Sequence, residues 1–335
     1  MSYQAERQEI ESNKKKGALI LLIVVLVLLV ALCTFSAFVP PDTWAYYVAL
    51  PQVESRNDGE LKIHFLDVGQ GDSTLIQLPD GKTMLIDGGN GGANATKSML
   101  RYLNACKIDA IDYLVLTHAD ADHCGGLARL LELKEVRAAY IPASAPETNG
   151  EYAAFYQKMM ESGCSWQFVS RDVRIQNVEY GYRFEFLYPY QTNGEYEDSD
   201  DDKNENSAVI WLDYQGVSTL FTGDAPAYVE ELLMEQDQLD FFKLREVDLR
   251  STEILKVSHH GSADGTSAKF LEYLGLETAV ISCGANNAYG HPNSSVLGRL
   301  QLAGATTYRT DINGHVCVTV SPQGGYTVKT IKNKK

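Results

Sequence analysis

The sequence predicts an α/β domain behind one N-terminal membrane-spanning helix, and three observations support this. Short apolar runs rich in β-branched residues recur in two groups, with helical patterns between them. A continuous apolar run at 17–39 precedes both groups and exceeds the about 20 residues that a bilayer crossing needs. Side chains able to bind a metal stand where runs of both groups end, so both groups are expected to contribute to one site.

Length and amino-acid composition limit the classes of protein to which this chain can belong. The 335 residues are enough for one large or two small domains, and a hydrophobic content of 44% is ordinary for a chain with a core. The net charge of −15 argues against a protein that binds nucleic acid by neutralising many phosphates with basic residues. It allows a nucleic-acid enzyme that binds its substrate through metal ions and one local groove. Of six cysteines, Cys33 lies in the apolar run, so five remain and no disulfide framework is predicted. A single disulfide stays possible without an assignment.

The N-terminal segment has the pattern of a membrane anchor. Residues 1–16 are polar and end in three lysines, whereas 17–39 is almost wholly apolar. Lysines before the span predict a cytoplasmic N-terminus and an extracellular body, which makes this a single-pass protein of the cell membrane. A cleaved signal peptide is the alternative, but its apolar core is usually only about 7–15 residues long. A linker at 40–60 then leads to a domain at 61–331.

Strands and helices of the first group follow from apolar spacing and turn residues. Gly-rich segments and the Pro79-Asp80-Gly81 turn separate the strands. Helices are predicted where apolar residues recur every three or four positions. The predicted strands span 61–66, 74–78, 83–86, 113–117, 136–141, 166–169, 174–178 and 184–187, and the predicted helices span 94–106, 127–133 and 151–163.

The second group repeats this arrangement. Its predicted strands span 208–212, 217–221, 253–257, 279–283, 306–309, 315–320 and 326–331, with helices at 227–239 and 270–274 and a third that ends at 300. Between the groups, 193–205 is strongly acidic. It is either a calcium loop without regular ligand spacing or a solvated loop. His64 and His315 lie inside strands and are expected to be structural.

The loop after the strand at 113–117 has the highest density of side chains that could bind a metal. It reads H-A-D-A-D-H-C-G-G and holds His118, Asp120, Asp122 and His123 within six residues. His118 and Asp120 can point the same way from a nearly extended loop, and the next pair follows as the chain turns. One loop can thus serve two adjacent positions for divalent zinc or manganese. The alternative is a strand-to-helix loop in which Asp122 caps the helix.

This loop resembles the metal motif of the metallo-β-lactamase-fold hydrolases, with Asp120 where the general motif has its second histidine. Four further motifs follow the pattern of the hydrolase domain of the competence DNA-channel proteins (ComEC/Rec2 type), over Leu61–Ile331. They are F-L-D-V-G-Q-G-D-S at 65–73 with L-I-D-G-G at 85–89, N-E-N-S at 204–207, S-H-H-G-S at 258–262 and Y-G-H-P at 289–292. The resemblance implies a four-layer αββα sandwich, two packed mixed sheets with helices outside.

The resemblance also implies the metal site. Asp122, His123 and His260 would hold one cation, His118 and Asp120 another, and the carboxylate of Asp224 in T-G-D would lie between them. Such a carboxylate can bridge two cations about 3.5–4 Å apart. For Asp224, the alternative is a helix cap before Pro226. The expected cofactor is one or two divalent ions, zinc or manganese. The first position lacks a histidine that many relatives have, and Asn206 is the nearest candidate to replace it, so this position suits manganese or magnesium more than zinc.

Roles in catalysis and substrate binding come from the same resemblance. Asp120 or Asp122 would orient a metal-bound hydroxide, and His259 would orient or protonate the leaving oxygen. The roles of His259 and His260 could be exchanged. Asp87 would support the metal loop. The expected substrate contacts are Asn206, Ser262, His291 and Asp72.

We therefore expect a membrane-anchored, extracellular, metal-dependent hydrolase that cuts phosphodiesters, with DNA or a nucleotide as substrate. One span is too few for a DNA channel by itself. Two alternatives stay open: a phosphoesterase on cell-wall or lipid-borne phosphoesters, and a non-catalytic binding protein with a relict metal site. No protein partner is inferred.

Overall fold

A computed structural model describes residues 3–38, 41–144, 150–190 and 203–332. The chain divides into two units, Met1–Val48 and Ala49–Lys335. Residues 191–202, which include most of the acidic segment, lie outside the described residues, and so does residue 39 at the end of the predicted span. All six cysteines are described and their thiols are free.

The first unit contains helix α1 (Tyr3–Phe38) and the short helix α2 (Pro41–Trp44). Within α1, Arg7–Ala37 is long and apolar enough to cross a membrane, by length and composition. The helix begins well before the apolar run because the polar residues that precede it include strong helix formers such as Glu, Gln, Lys and Arg.

Fifteen strands lie in the described part of the second unit and form two sheets. They are β1 (Leu61–Phe65), β2 (Thr74–Gln77), β3 (Thr83–Ile86), β4 (Ala110–Val115), β5 (Glu135–Ile141), β6 (Ser165–Phe168), β7 (Arg174–Asn177), β8 (Tyr182–Tyr188), β9 (Val209–Tyr214), β10 (Val217–Phe221), β11 (Thr252–Lys256), β12 (Thr278–Ile281), β13 (Thr306–Arg309), β14 (His315–Val320) and β15 (Tyr326–Ile331).

Each sheet changes from antiparallel to parallel pairing along its width. The first has the order β15-β14-β1-β2-β3-β4-β5-β6 and is parallel from β3 to β6. The second has the order β13-β12-β11-β10-β9-β8-β7 and is parallel from β10 to β13. Ligand sites of open α/β sheets tend to form beyond the carboxyl ends of parallel strands.

Helices connect the strands. They are α3 (Ala93–Ala105), α4 (Ala121–Cys124), α5 (Leu127–Leu133), α6 (Glu151–Ser162), α7 (Ala227–Gln238), α8 (Ala268–Tyr273), α9 (Ser294–Leu302) and α10 (Thr310–Asn313), with 3₁₀ turns at Lys203–Asn206, Lys243–Arg245, Leu249–Ser251 and Ser258–Gly261. The short connection between β13 and β14 thus contains helix α10.

The predicted four-layer αββα sandwich is confirmed. One apolar cluster fills the space between the sheets, where the Phe65 and Phe221 rings lie 6.2 Å apart. A second cluster packs the other face of the second sheet against α7, α8 and α9, with Leu233, Phe270 and Leu300 fully or almost fully buried. Sheets with two buried faces need apolar residues on both sides of each strand, which explains the continuous apolar runs in the sequence.

The parallel strands carry the site loops. Asp87 follows β3, His118 follows β4, Asp224 follows β10 and His260 follows β11. Strand β4 ends at Val115, two residues earlier than predicted, because the backbone N–H of Thr117 bonds to the Asp87 carboxylate (2.8 Å) instead of to a neighbouring strand. The early end frees the loop that follows to turn into the site.

Candidate metal centre

The metal loop runs from His118 into the single-turn helix α4. Asp120 is the N-terminal flanking residue of that helix, and the structure records no side-chain capping bond there. Asp122 therefore does not act as the cap that the alternative interpretation required. His118 and His123 are fully buried, whereas the carboxylates of Asp120 and Asp122 are 37% and 30% exposed. The loop thus combines buried imidazoles with carboxylates that water and a substrate can reach.

Backbone hydrogen bonds clamp two segments onto the metal loop, the loop at 67–72 and the turn after β3. The N–H of Asp72 donates to the Asp122 carbonyl (3.1 Å), and the Gly88 N–H donates to the His123 carbonyl (2.7 Å). At Gly71, where φ is +133°, a Cβ atom would collide with the Asp122 carbonyl oxygen. Glycine is therefore required for this close approach.

Asp87 fixes the orientation of His123. Its φ of 60° turns the chain sharply after β3, and its carboxylate accepts hydrogen bonds from the N–H and hydroxyl of Thr117 (2.8 Å each) and from His123 Nδ1 (2.8 Å). Because Nδ1 carries the proton, Nε2 of His123 keeps its lone pair for a cation. This geometry is what a supporting role for Asp87 requires.

The other imidazoles are held in the same way, with Nδ1 bonded away from the centre. His260 Nδ1 donates to the Ser282 carbonyl (2.9 Å), and His259 Nδ1 faces Asp264 (3.1 Å). His118 Nδ1 lies 3.1 Å from the hydroxyl of Thr117, whose own proton goes to Asp87. Each ring therefore presents a free Nε2.

The Nε2 atoms converge on Asp224. They lie 3.3 Å (His123), 3.4 Å (His260), 3.7 Å (His259) and 4.0 Å (His118) from its carboxylate oxygens. Asp224 is 2% exposed. Burial alone would raise the pKa of Asp224, but the imidazoles of His260 and His123 outweigh burial and hold this pKa well below its usual value. The carboxylate is therefore charged.

His259 and His260 reach a common centre through an unusual backbone. Their φ values of 46° and 54° place both in the left-handed region within the 3₁₀ turn Ser258–Gly261. Non-glycine residues in such conformations cost on the order of 1–3 kcal/mol each and cluster at functional sites. In a regular strand, the adjacent side chains of His259 and His260 would point to opposite faces. The left-handed turn instead lets both reach the same centre.

A divalent cation fits these residues. Several buried atoms lack a hydrogen-bond partner among the described residues: His118 Nε2, His123 Nε2, His260 Nε2, Asp224 Oδ1 and Asp72 Oδ1. Unmet buried polar atoms each cost roughly 1–3 kcal/mol, which a shared cation would remove. Asp72, His123, Asp224 and His260 each offer a ligand atom within 4.8 Å of the others. Nitrogen and carboxylate ligands suit zinc and manganese alike.

Two carboxylates complete the open side of the centre. Asp122 Oδ2 lies 3.1 Å from His260 Nε2, and Asp120 Oδ2 lies 3.6 Å from His118 Nε2. The Lys203 ammonium lies 3.8 Å from the other oxygen of Asp120. All six predicted ligands therefore surround one centre.

Asp72, predicted as a substrate contact, is buried and paired with Lys256. The Lys256 ammonium lies 2.5 Å from Asp72 Oδ2 and also donates to the carbonyls of Val257 (2.9 Å) and Gly223 (3.5 Å). Burial would lower the pKa of Lys256, but the charges of Asp72 and Asp224 raise it above its ordinary value. Sequence analysis missed Lys256. The sequence feature that could have identified Lys256 is its position at the end of an otherwise apolar, buried strand.

The remaining predicted contacts lie at the edge of the centre. The His291 ring lies 5.4 Å from His259, and Ser262 hydrogen-bonds to Asp264. Ser207, which sequence analysis did not single out, accepts from the Asp224 N–H (3.1 Å) and lies 3.3 Å from His118 Nδ1. Its neighbour Asn206 ends the 3₁₀ turn Lys203–Asn206 and is partly exposed.

Replacing Asp87 with asparagine is expected to lower metal affinity by roughly 10- to 100-fold, the usual cost of losing an outer partner of a ligand. The amide would present N–H to His123 Nδ1, which favours the tautomer with its proton on Nε2. Asparagine tolerates positive φ, so the turn should persist. Titration of metal-free protein with Mn²⁺ or Zn²⁺ measures the effect. Asp109→Asn, at a carboxylate that is 98% exposed, is the control. Equal affinities would contradict the role of Asp87.

Comparison with known proteins yields a family and several relatives. Residues 66–285 match the model of the metallo-beta-lactamase superfamily. ComE operon protein 3 of Bacillus subtilis is 32% identical over 273 residues, 77% of this chain and 33% of that protein. Recombination protein 2 of Haemophilus influenzae is 29% identical over 260 residues, 77% of this chain and 28% of that protein.

Competence protein ComA of Neisseria gonorrhoeae is a third relative, 30% identical over 261 residues, 78% of this chain and 32% of that protein. The chain thus spans about a third of the length of the curated relatives it matches. The predicted resemblance to competence proteins is confirmed.

Proposed function

Because the chain belongs to the metallo-β-lactamase superfamily, we propose that its metal centre hydrolyses phosphodiesters. The observation that carries this proposal is the convergence of four Nε2 atoms on the buried carboxylate of Asp224. A divalent ion held there would lower the pKa of a bound water and so would supply a nucleophile near neutral pH.

The distances are compatible with the ligand roles that the family resemblance implies. Asp122, His123 and His260 would hold one ion, His118 and Asp120 a second, with Asp224 between them. Asp72 is within ligand distance of the first group, although its pairing with Lys256 occupies one oxygen. The position at His118 and Asp120 has a single nitrogen ligand, which favours manganese over zinc there.

The catalytic roles fall to the groups that face the open side. Asp120 and Asp122 are the accessible carboxylates, so they would orient the attacking water and accept its proton. His259 is partly exposed, and Asp264 holds its Nδ1. The pKa of His259 is raised above its ordinary value, because Asp264 and Asp224 together outweigh its burial. A protonated His259 can donate to the leaving oxygen.

The phosphodiester substrate is inferred from the relatives. Their names connect them with competence and recombination, both of which concern DNA. We take DNA or a nucleotide as the substrate class. His291, Ser262 and Asn206 are proposed to contact it, since each lies at the rim of the centre or in the turn beside it.

The proposed location is the outer face of the cell membrane. Residues 1–16 would be cytoplasmic, 17–39 the span, 40–60 a linker and 61–331 the hydrolase domain, as the lysines before the span favour. Protease added outside intact cells tests this orientation: a body that resists digestion until the cells are lysed would place it inside.

Metal-dependent phosphodiesterase activity is the expected result for the full chain purified in detergent. The metal-free protein should be inactive on bis(p-nitrophenyl) phosphate and on single- and double-stranded DNA, and Mn²⁺ should restore more activity than Zn²⁺ or Mg²⁺. Metal content is measured in parallel on the same samples. Metal binding without turnover of any of these substrates would overturn the phosphodiesterase proposal. Phosphoesters of cell wall or lipid would then be tested, followed by a non-catalytic role.

A further inference from the structure

A ladder of aromatic rings leads from the metal centre to the surface. The His260 and His291 rings lie 6.4 Å apart at 28°, and the His291 and Tyr289 rings lie 5.8 Å apart at 25°. Successive rings of this ladder are thus inclined at shallow angles, whereas His259 meets His291 edge-on at 5.4 Å and 73°. His260 is buried at one end and Tyr289 is 72% exposed at the other.

The loop that carries Tyr289 is braced by one side chain. Asn287 Oδ1 accepts from the N–H groups of Tyr289 (3.1 Å) and His291 (3.0 Å), and its Nδ2 donates to the carbonyls of Gly284 (2.9 Å) and His291 (2.5 Å). The Gly284 N–H in turn donates to the side chain of Gln70 (3.2 Å). A ring presented on a preorganised loop loses little conformational entropy when it binds a ligand.

The exposed end of this ladder suits a planar ligand. The Tyr289 ring lies 5.8 Å from the His291 ring at a shallow angle, and most of the Tyr289 side chain is accessible to solvent. Aromatic rings prefer offset-stacked or edge-to-face partners, and a further ring stacked here would extend the ladder. The metal centre lies two rings away, so a strand with one base stacked on Tyr289 can continue past His291 and place a phosphate near His259 and His260.

The charge of the chain favours recognition by stacking. With a net charge of −15, the protein lacks the excess of lysine and arginine that holds nucleic acid by its phosphates. Base–aromatic stacking contributes affinity without such charges and accepts any base, but it needs a base that is not paired in a duplex.

We propose that Tyr289 is a stacking platform for a nucleobase of the strand whose phosphodiester is cut, which makes single-stranded nucleic acid the substrate. This inference rests on the proposed function, because that function places the phosphate at the metal centre. Tyr289 is a specificity-determining residue, and His291 is the ring between it and the metal centre.

Fluorescence of 2-aminopurine tests the platform directly, because stacking on an aromatic ring quenches this base analogue. The full chain in detergent with Mn²⁺ is titrated into a single-stranded hexanucleotide that contains 2-aminopurine and hydrolysis-resistant phosphorothioate links. Wild type and Tyr289→Phe, which keeps the ring, should quench the fluorescence. Tyr289→Ala should quench little and bind roughly 5- to 150-fold more weakly, the range measured for one base–aromatic stack. Leu302→Ala, at an apolar side chain that is 90% exposed, is the control.

A second measurement separates this inference from the proposed function. The kcat/KM of Tyr289→Ala should fall on a normal single-stranded oligonucleotide but stay at the wild-type value on an abasic one. Wild-type protein that quenches the probe yet cuts neither oligonucleotide would refute the phosphodiesterase and keep the platform. Equal binding by wild type and Tyr289→Ala, or an equal loss on the abasic strand, would overturn the platform.

Discussion

Replacing Asp224 with alanine is expected to weaken metal binding by more than about 100-fold, since the loss of outer partners alone costs roughly 10- to 100-fold. Phosphodiester hydrolysis should fall by roughly 10³-fold, comparable with the upper cost of removing one charge-stabilising group from an active site. The reason is geometric. Among the described residues, Asp224 is the carboxylate that all four Nε2 atoms approach, so its loss would remove the ligand proposed to be common to both metal positions.

Metal content after dialysis, calorimetric titration with Mn²⁺ and steady-state hydrolysis at saturating metal measure these losses. Circular dichroism shows whether the variant is folded. Asp109→Ala changes an exposed carboxylate and should match wild type in every assay. A folded Asp224→Ala protein that binds metal and turns over at the wild-type rate would place the metal elsewhere.

Replacing Lys256 with methionine is expected to destabilise the protein by about 3–5 kcal/mol, the usual cost of removing one partner of a buried ion pair. Lys256 and Asp72 are 3% and 4% exposed, so water cannot take the place of the missing ammonium. Asp72 would then face Asp224 and His260 without its counter-charge. Metal affinity should fall as well, because Asp72 Oδ1 lies among the candidate ligand atoms.

Urea unfolding of the metal-free full chain, followed by circular dichroism, measures the change. A double variant, Lys256→Met with Asp72→Asn, is the matched control because it removes both charges. It should recover part of the lost stability. The assigned role of the ion pair would be wrong if Lys256→Met unfolded at the wild-type urea concentration. It would also be wrong if the double variant lost more stability than the Lys256→Met and Asp72→Asn variants lose when their separate losses are added.

Much of the fold was predictable because its signals are local. Apolar runs of four to six residues and the turn residues between them mark nearly every strand, and the ends of most elements lie within two residues of prediction. His118 to His123 stood out for the same reason, since a dense set of ligand-type side chains lies within one short loop.

The parts that escaped prediction depend on contacts between distant segments. Lys256 ends a buried strand, and only the packing of the two sheets shows that Asp72 is its partner. The same packing shows that Asp72 faces inward and that Ser207 lies beside His118. Asp264 lies just after the motif that contains His259 and His260. Its contact with His259 depends on the left-handed backbone conformation of the two histidines. Side-chain direction in such a turn cannot be obtained from periodicity.

The centre lies across the seam between the two sheets, which makes the apolar core a spacer for the ligands. Phe65 ends β1 and Phe221 ends β10, so their contact stands directly beneath the loops that carry Asp72 and Asp224. Interiors are packed as tightly as organic crystals, and a change of one methylene is felt by the neighbours. A substitution at either ring is therefore expected to alter the spacing between the residues that each sheet contributes to the centre, although neither phenylalanine is among the candidate ligands.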